Sequence, residues 1–115
     1  MPVVGNIHNE DMLQCLKSCK LCLQACEECL SLCLREDDVK DRIDCIESLR
    51  DCTDICAIAI RSMSRGSKNA SVICKACAEI CRECEKHCNM HNDSHCPKCA
   101  EICKDCAEHC ENMSL

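Results

Sequence analysis

Residues Cys74 to Cys88 read C-K-A-C-A-E-I-C-R-E-C-E-K-H-C, with cysteine recurring at spacings of 3, 4, 3 and 4. That rhythm follows one face of an α-helix, which turns once in about 3.6 residues. Five thiols, Cys74, Cys77, Cys81, Cys84 and Cys88, therefore point the same way from one rod. The rhythm returns at Cys96, Cys99, Cys103, Cys106 and Cys110, and it appears earlier at Cys15, Cys19, Cys22, Cys26, Cys29 and Cys33. Three such faces predict an all-α protein, an antiparallel four-helix bundle with a cysteine-lined core.

The two later stretches are an internal repeat. Comparing Cys74–Cys88 with Cys96–Cys110, nine of fifteen positions are identical, including the run C-A-E-I-C and the terminal H-C. The chain of 115 residues is expected to form a single domain over 1–115, with a tail at 1–8 and helices over about 9–35, 39–64, 70–90 and 94–112. Asn9 suits an N-cap, and Glu10 and Asp11 suit the first turn of a helix. Leu16, Leu23 and Leu30 widen the buried face of the first helix, while Leu21 and Leu34 lie further round. Glu36, Asp37 and Asp38 form the first turn region. The second helix has a seam of Cys45, Leu49, Cys52, Cys56, Ala59 and Met63, and isoleucines surround much of the rod. Gly66 suits a helix end, Ser67 or Asn69 the next N-cap, and Asn92–Asp93–Ser94 the last turn. Pro97 must fall in the first turn of the last helix, because deeper placement costs a hydrogen bond and clashes.

Composition narrows the function. There is no Phe, Tyr or Trp, so 19 cysteines must fill the core, carry the function, or do both. A formal net charge of −6 argues against nucleic acid or an anionic membrane as partner. No apolar run approaches the roughly 18 residues of a membrane span. Met1–His8 lacks the basic and apolar regions of a signal peptide, so the expected location is cytoplasmic, where thiols stay reduced. An odd cysteine count fits poorly with full internal disulfide pairing.

Residues at i and i+3 or i+4 on a helix have Cβ atoms about 5–6 Å apart. Two sulfurs sharing one metal approach to roughly 4.5 Å, twice a metal–sulfur bond of about 2.3 Å. Four facing seams would make a tube of soft ligands, suited to Cu(I), Zn(II) or iron–sulfur clusters. The seams carry no Lys or Arg among the cysteines. A thiolate with one Cu(I) is neutral, whereas a tetrathiolate Zn(II) centre keeps a charge of about −2 that helix interiors, with few free N–H groups, do little to offset. Multiple Cu(I) ions per chain are thus the better match, with a Zn or Cd buffer and a disulfide-stabilised structural protein as alternatives. Disulfides face a geometric difficulty, since facing helix axes lie about 8–10 Å apart. The radical-enzyme spacing C-x-x-x-C-x-x-C occurs at Cys15–Cys22 and Cys22–Cys29 but inside a continuous helix. No catalytic triad, phosphate loop or nucleotide fingerprint is present, and no enzyme activity is expected.

At the bundle ends, His91 and His95 flank a turn beside Cys33, Cys45, Cys88 and Cys96, and Met12, Met63 and Met113 gather with Cys15, Cys74 and Cys110 at the other end. These histidines and Met63 and Met113 are further candidate ligands. The competing readings are an exposed polar turn for the histidines and end-of-core packing for the methionines. His87 and His109 read as edge residues, and His8 carries no signal.

The seam pattern, the segment D-C-T-D-I-C-A-I-A-I-R-S-M (Asp51–Met63) and the turn H-N-D-S-H-C (His91–Cys96) resemble the cytosolic bacterial copper storage proteins, a cysteine-rich four-helix-bundle family. The resemblance covers roughly residues 10–113. It implies a homotetramer of bundles, each storing many Cu(I) ions between pairs of core cysteines with His or Met near the mouth. By position, His91 and His95 match the histidine-bearing turn, although Asn92 and Ser94 stand where relatives can carry a denser His/Asp run. A small-thiol or chaperone donor would hand over the copper. The cysteine-poor second helix predicts copper biased toward the other three.

Overall fold

Asn9 starts the first helix. Its backbone is extended, and its side-chain oxygen accepts the Met12 N–H at 2.8 Å. Helix α1 then runs Glu10–Cys33, with Glu10 and Asp11 in its positive first turn. The computed structural model describes residues 2–113, so Met1 of the tail, Ser114 and Leu115 lie outside the described residues.

The second rod does not begin as an α-helix at residue 39. Val39–Arg42 wind as a tighter 3₁₀ turn, and α2 runs Ile43–Ser64. Asp38 explains the tightening. Its carbonyl takes the Asp41 N–H at 2.8 Å while its carboxylate holds Arg42 Nε at 2.6 Å. Helix α2 ends on Gly66 at φ 62°, a left-handed conformation that glycine adopts without Cβ strain. The Gly66 N–H reaches the Met63 carbonyl and the Ser67 N–H the Ser62 carbonyl, both at 3.0 Å, so two orphan carbonyls of the last turn are satisfied.

Helix α3 runs Ala70–Cys88 and α4 runs Cys96–Met113. Asp93 starts α4. One carboxylate oxygen accepts the N–H groups of His95 at 2.9 Å and Cys96 at 2.6 Å. Pro97 is the second residue of α4, where its missing N–H costs nothing.

Each helix packs on its successor, and α4 returns to α1, so the four form a ring about one axis. Cys33 lies 3.6 Å from Cys96 and Cys45 3.8 Å from Cys88 at one end, and Cys15 lies 3.5 Å from Cys110 at the other. Neighbours are therefore antiparallel, in a body of 47 × 25 × 18 Å. All 19 cysteines are buried, joined by Leu16, Leu49, Met63 and five alanines, Ala59, Ala70, Ala78, Ala100 and Ala107. These small side chains let the helices close without aromatic filling. Leu21, Leu34, Ile43 and Ile58 stay exposed, so the outer apolar residues noted in the sequence do face out. Among the described residues no helix is long and apolar enough to cross a membrane.

Candidate metal centre

The helical period turns every thiol inward, and the ring packing then brings thiols of different helices together. Close sulfur pairs within one helix are Cys22–Cys26 and Cys77–Cys81, each at 3.9 Å. The remaining close pairs cross between helices. Helices α1 and α4 meet through Cys26–Cys103 at 3.6 Å, Cys26–Cys99 at 3.8 Å and Cys19–Cys106 at 3.7 Å. Helices α2 and α3 meet through Cys52–Cys81 at 3.7 Å and Cys56–Cys77 at 3.9 Å. Cys22 of α1 reaches Cys52 of α2 at 3.8 Å and Cys103 of α4 at 3.9 Å. All these sulfurs are free thiols. A disulfide bond is about 2.0 Å long, so the separations are those of neighbouring thiols.

Sets of four sulfurs lie within 4.8 Å of one another, and the sets overlap. Cys19, Cys77, Cys106 and Cys110 form one; Cys56, Cys77, Cys81 and Cys106 form the next and share Cys77 and Cys106 with it. Cys22, Cys52, Cys56 and Cys81 follow, sharing Cys56 and Cys81; Cys22, Cys26, Cys52 and Cys103 come after, sharing Cys22 and Cys52. Each step hands two sulfurs to its neighbour. A trigonal site with metal–sulfur bonds of about 2.3 Å spaces its sulfurs by about 4.0 Å, so small rotamer changes suffice to seat a soft ion. Cys15, Cys74, Cys84 and Cys88 are also fully buried along this column.

The end near the last turn is built differently. Cys29, Cys33, Cys96 and His95 form a mixed set. His95 Nδ1 lies 3.3 Å from the Cys29 sulfur and 3.6 Å from that of Cys96. Its Nε2 lies 2.8 Å from a Glu36 carboxylate oxygen. A carboxylate only accepts, so Nε2 carries the proton and Nδ1 turns a lone pair to the thiols. His91 is half-buried in the same turn, but the mixed set takes His95 and not His91.

Arg42 corrects the expectation that no cation stands among the thiols. It is only 5 % exposed, and its Nη1 lies 3.6 Å from Cys33 and 3.5 Å from Cys96. The same nitrogen donates to Asp93 at 2.6 Å, Nε donates to Asp38 at 2.6 Å, and Glu36 stands 3.9 Å from Nη2. Burial works against the Arg42 charge, but the Asp38 and Asp93 hydrogen bonds outweigh it and hold its pKa above the ordinary value. In return the Arg42 hydrogen bond holds the Asp38 carboxyl below its ordinary range. Burial pushes Cys33 up to about 11, with Arg42 pulling against it and Cys96 adding to the rise. The sequence did hold a signal for Arg42, which sits three residues before Cys45 and so on the backward extension of the α2 seam.

At the opposite end Met63 is fully buried and Met12 and Met113 pack half-buried against the core. His8, silent in the sequence, folds back so that Nε2 donates to the carbonyls of Met63 at 2.9 Å and Ser64 at 3.1 Å. His87 bonds Glu83 one turn back on the outer face of α3.

Comparison with known proteins follows this geometry. The family model described as copper storage protein matches residues 8–115. The Cu(I)-bound copper storage protein BsCsp3 superposes with a TM-score of 0.86 at 37 % identity, covering 92 % of this chain and 100 % of its own. A copper storage protein from Streptomyces lividans loaded with 10 copper equivalents gives 0.89 at 32 % identity, covering 97 % and 89 %. Its five-copper form, described as cytosolic, gives 0.89 at 33 % identity, covering 96 % and 97 %. An uncharacterized cysteine-rich protein of Bacillus subtilis, YhjQ, is 42 % identical over 52 residues, which span 45 % of this chain and about half, 48 %, of that relative.

Proposed function

The chain belongs to the copper storage protein family, and on that premise we propose that it takes up Cu(I) as cargo and stores many ions inside its bundle. The observation that carries this reading is the run of thiol sets sharing two sulfurs with each neighbour along the bundle axis. A storage column needs many equivalent soft sites, and it needs a way to move ions between them without releasing them to water. Shared sulfurs supply both, because an ion shifts by exchanging one thiolate at a time.

The ligands are the 19 core cysteines, with His95 at the turn end. His91, Met63 and Met113 serve at most at the margins. The chain catalyses no reaction. Copper comes from a small thiol or a chaperone, and the protein works in the cytosol, as its Streptomyces lividans relative is described to do. Exposed Leu21, Leu34, Ile43 and Ile58 support assembly with further copies, a homotetramer in the reading suggested by sequence. The whole of residues 1–115 acts as one domain.

Anaerobic titration of the reduced protein with Cu(I) against a competing chelator tests the proposal. Saturation at many ions per chain, on the order of one per one or two thiols, is the expected result. Saturation at one or two ions per chain sinks it.

A further inference from the structure

The outer face of α2 carries a row of side chains that the thiol column does not use. Asp44, Glu47, Ser48 and Asp51 stand three or four residues apart in turn, so they share one stripe of the helix. Across the seam α3 presents Glu83 and His87, one turn apart, with His87 Nε2 3.0 Å from a Glu83 carboxylate oxygen. These residues together line a groove of about 200 Å³ between the two helices. The thiol pairs fix the register. Cys45 meets Cys88 and Cys52 meets Cys81, so Ser48 lies level with the stretch between Glu83 and His87.

Two features separate this groove from an ordinary solvated face. No lysine or arginine lines it, and among the described residues Asp44, Glu47 and Asp51 pair with no cation. Ser48 lines the same groove at only 7 % exposure, and its buried Oγ has no hydrogen-bond partner among the described residues. A buried hydroxyl costs free energy until something bonds it. The internal repeat supplies the contrast. Asp105 and His109 hold the positions in α4 that Glu83 and His87 hold in α3, but α1 sets Gln14, Lys17 and Ser18 against them and no carboxylate. The pairing of acid and imidazole is thus repeated, whereas the row of facing carboxylates belongs to the α2–α3 seam.

We propose that this groove is a second metal site, which binds one divalent cation such as Mn(II) and ties α2 to α3 on the outside of the thiol column. Glu83 and His87 ligate from α3, carboxylates of Asp44, Glu47 and Asp51 ligate from α2, and Ser48 Oγ lies at the base. Oxygen donors with one imidazole suit a hard or borderline ion, whereas Cu(I) goes to the thiols. An ion here offsets the repulsion among four carboxylates and gives Ser48 a partner, directly or through a water on the metal. His87 exchanges its contact with Glu83 for one with the ion. Ligand chemistry sorts the two metals, the soft one inward and the hard one outward. The site stands whether or not the core stores copper.

Mn(II) titrated into the reduced, copper-free protein under anaerobic conditions tests the site, read by loss of the electron paramagnetic resonance signal of free Mn(II). One bound ion per chain is the expected result. Asp44→Asn and Asp51→Asn, at exposed positions where folding is undisturbed, should each weaken binding by at least about tenfold, and so should His87→Gln. His109→Gln, at the matching position of α4, should leave binding unaltered. Prior loading with Cu(I) should leave Mn(II) uptake intact. No loss of free signal overturns the site, and so does an unchanged affinity in all three groove variants or an equal weakening by His109→Gln. Mn(II) uptake abolished by Cu(I) places the ion on the thiols and overturns it as well. Failure of copper storage is read separately, in the copper content of the unaltered protein.

Discussion

The Arg42 guanidinium donates to the Cys96 thiol across 3.5 Å, joining the turn before α2 to the first residue of α4. This contact places a buried cation at the end of a column of otherwise neutral thiols. Its charge is balanced by Asp93, itself mostly buried, and by the more exposed Asp38.

Replacing Arg42 strands the Asp93 carboxylate. Arg42→Met should lower the stability of the copper-free protein by about 3 kcal/mol, the usual cost of leaving one partner of a buried pair alone. The double change Arg42→Met with Asp93→Asn should recover part of that loss. Chemical denaturation of these variants, of Asp93→Asn alone and of the unaltered protein gives the coupling, and a double variant no better than Arg42→Met contradicts this account of the pair.

Glu36 orients His95 by fixing the proton on Nε2. Glu36→Ala should weaken the site formed by Cys29, Cys33, His95 and Cys96 by about tenfold in affinity, as outer partners of ligating histidines commonly do. His95→Ala should weaken it at least as much, and total capacity should change little in either variant. Chelator competition over the first added copper equivalents reads the difference.

Two of the buried thiols, Cys33 and Cys74, resist ionisation, which gives the copper-free protein a pH limit. Cys33 is pushed up to about 11, chiefly by burial. Cys74 is pushed up to about 12, because Cys15 and burial outweigh the opposing pull of Cys110. The ordinary value for both is 9.0. Above about pH 9 the unfolded chain therefore loses these protons while the folded chain keeps them, and stability falls as pH rises until the folded values are passed. Melting temperatures should be flat from pH 7 to about 8.5 and drop beyond it. The Cu(I)-loaded protein, whose thiols have already given up their protons, should lack that drop.

Cys22 and Cys52 form the edge shared by two thiol sets. Changing both to serine removes soft ligands from two neighbouring sites at once. Copper capacity should fall by more than one ion, and loading beyond this point of the column should slow. Equilibrium titration and stopped-flow uptake together check this, and an unchanged capacity would mean that the shared edge holds no copper.

Much of the fold was legible because the relevant forces are local. Cysteine spacing names the inner face, Asn9 and Gly66 mark helix ends through their own backbone geometry, and Pro97 limits where α4 can start. Arg42 was harder to place. It reads as one more charged turn residue until the Asp38 carboxylate tightens the turn and aims the side chain at Cys33. His91 and His95 look equivalent in the turn H-N-D-S-H-C, yet Asp93 caps α4 through the His95 N–H and sets that ring beside Cys29.

The sequence by itself determined that four helices turn sulfur inward, since a period of about 3.6 residues leaves a cysteine at every third or fourth position no other common direction. Only the tertiary structure decided which sulfurs meet. Axial register and rotation between helices are set by loops, caps and packing, and these place Cys22 against Cys52 and Cys103. The same packing sets Arg42 against Cys33 and Cys96 and folds His8 onto the last carbonyls of α2. Contacts between distant segments depend on how rods are set against one another, and no spacing within a single rod encodes that.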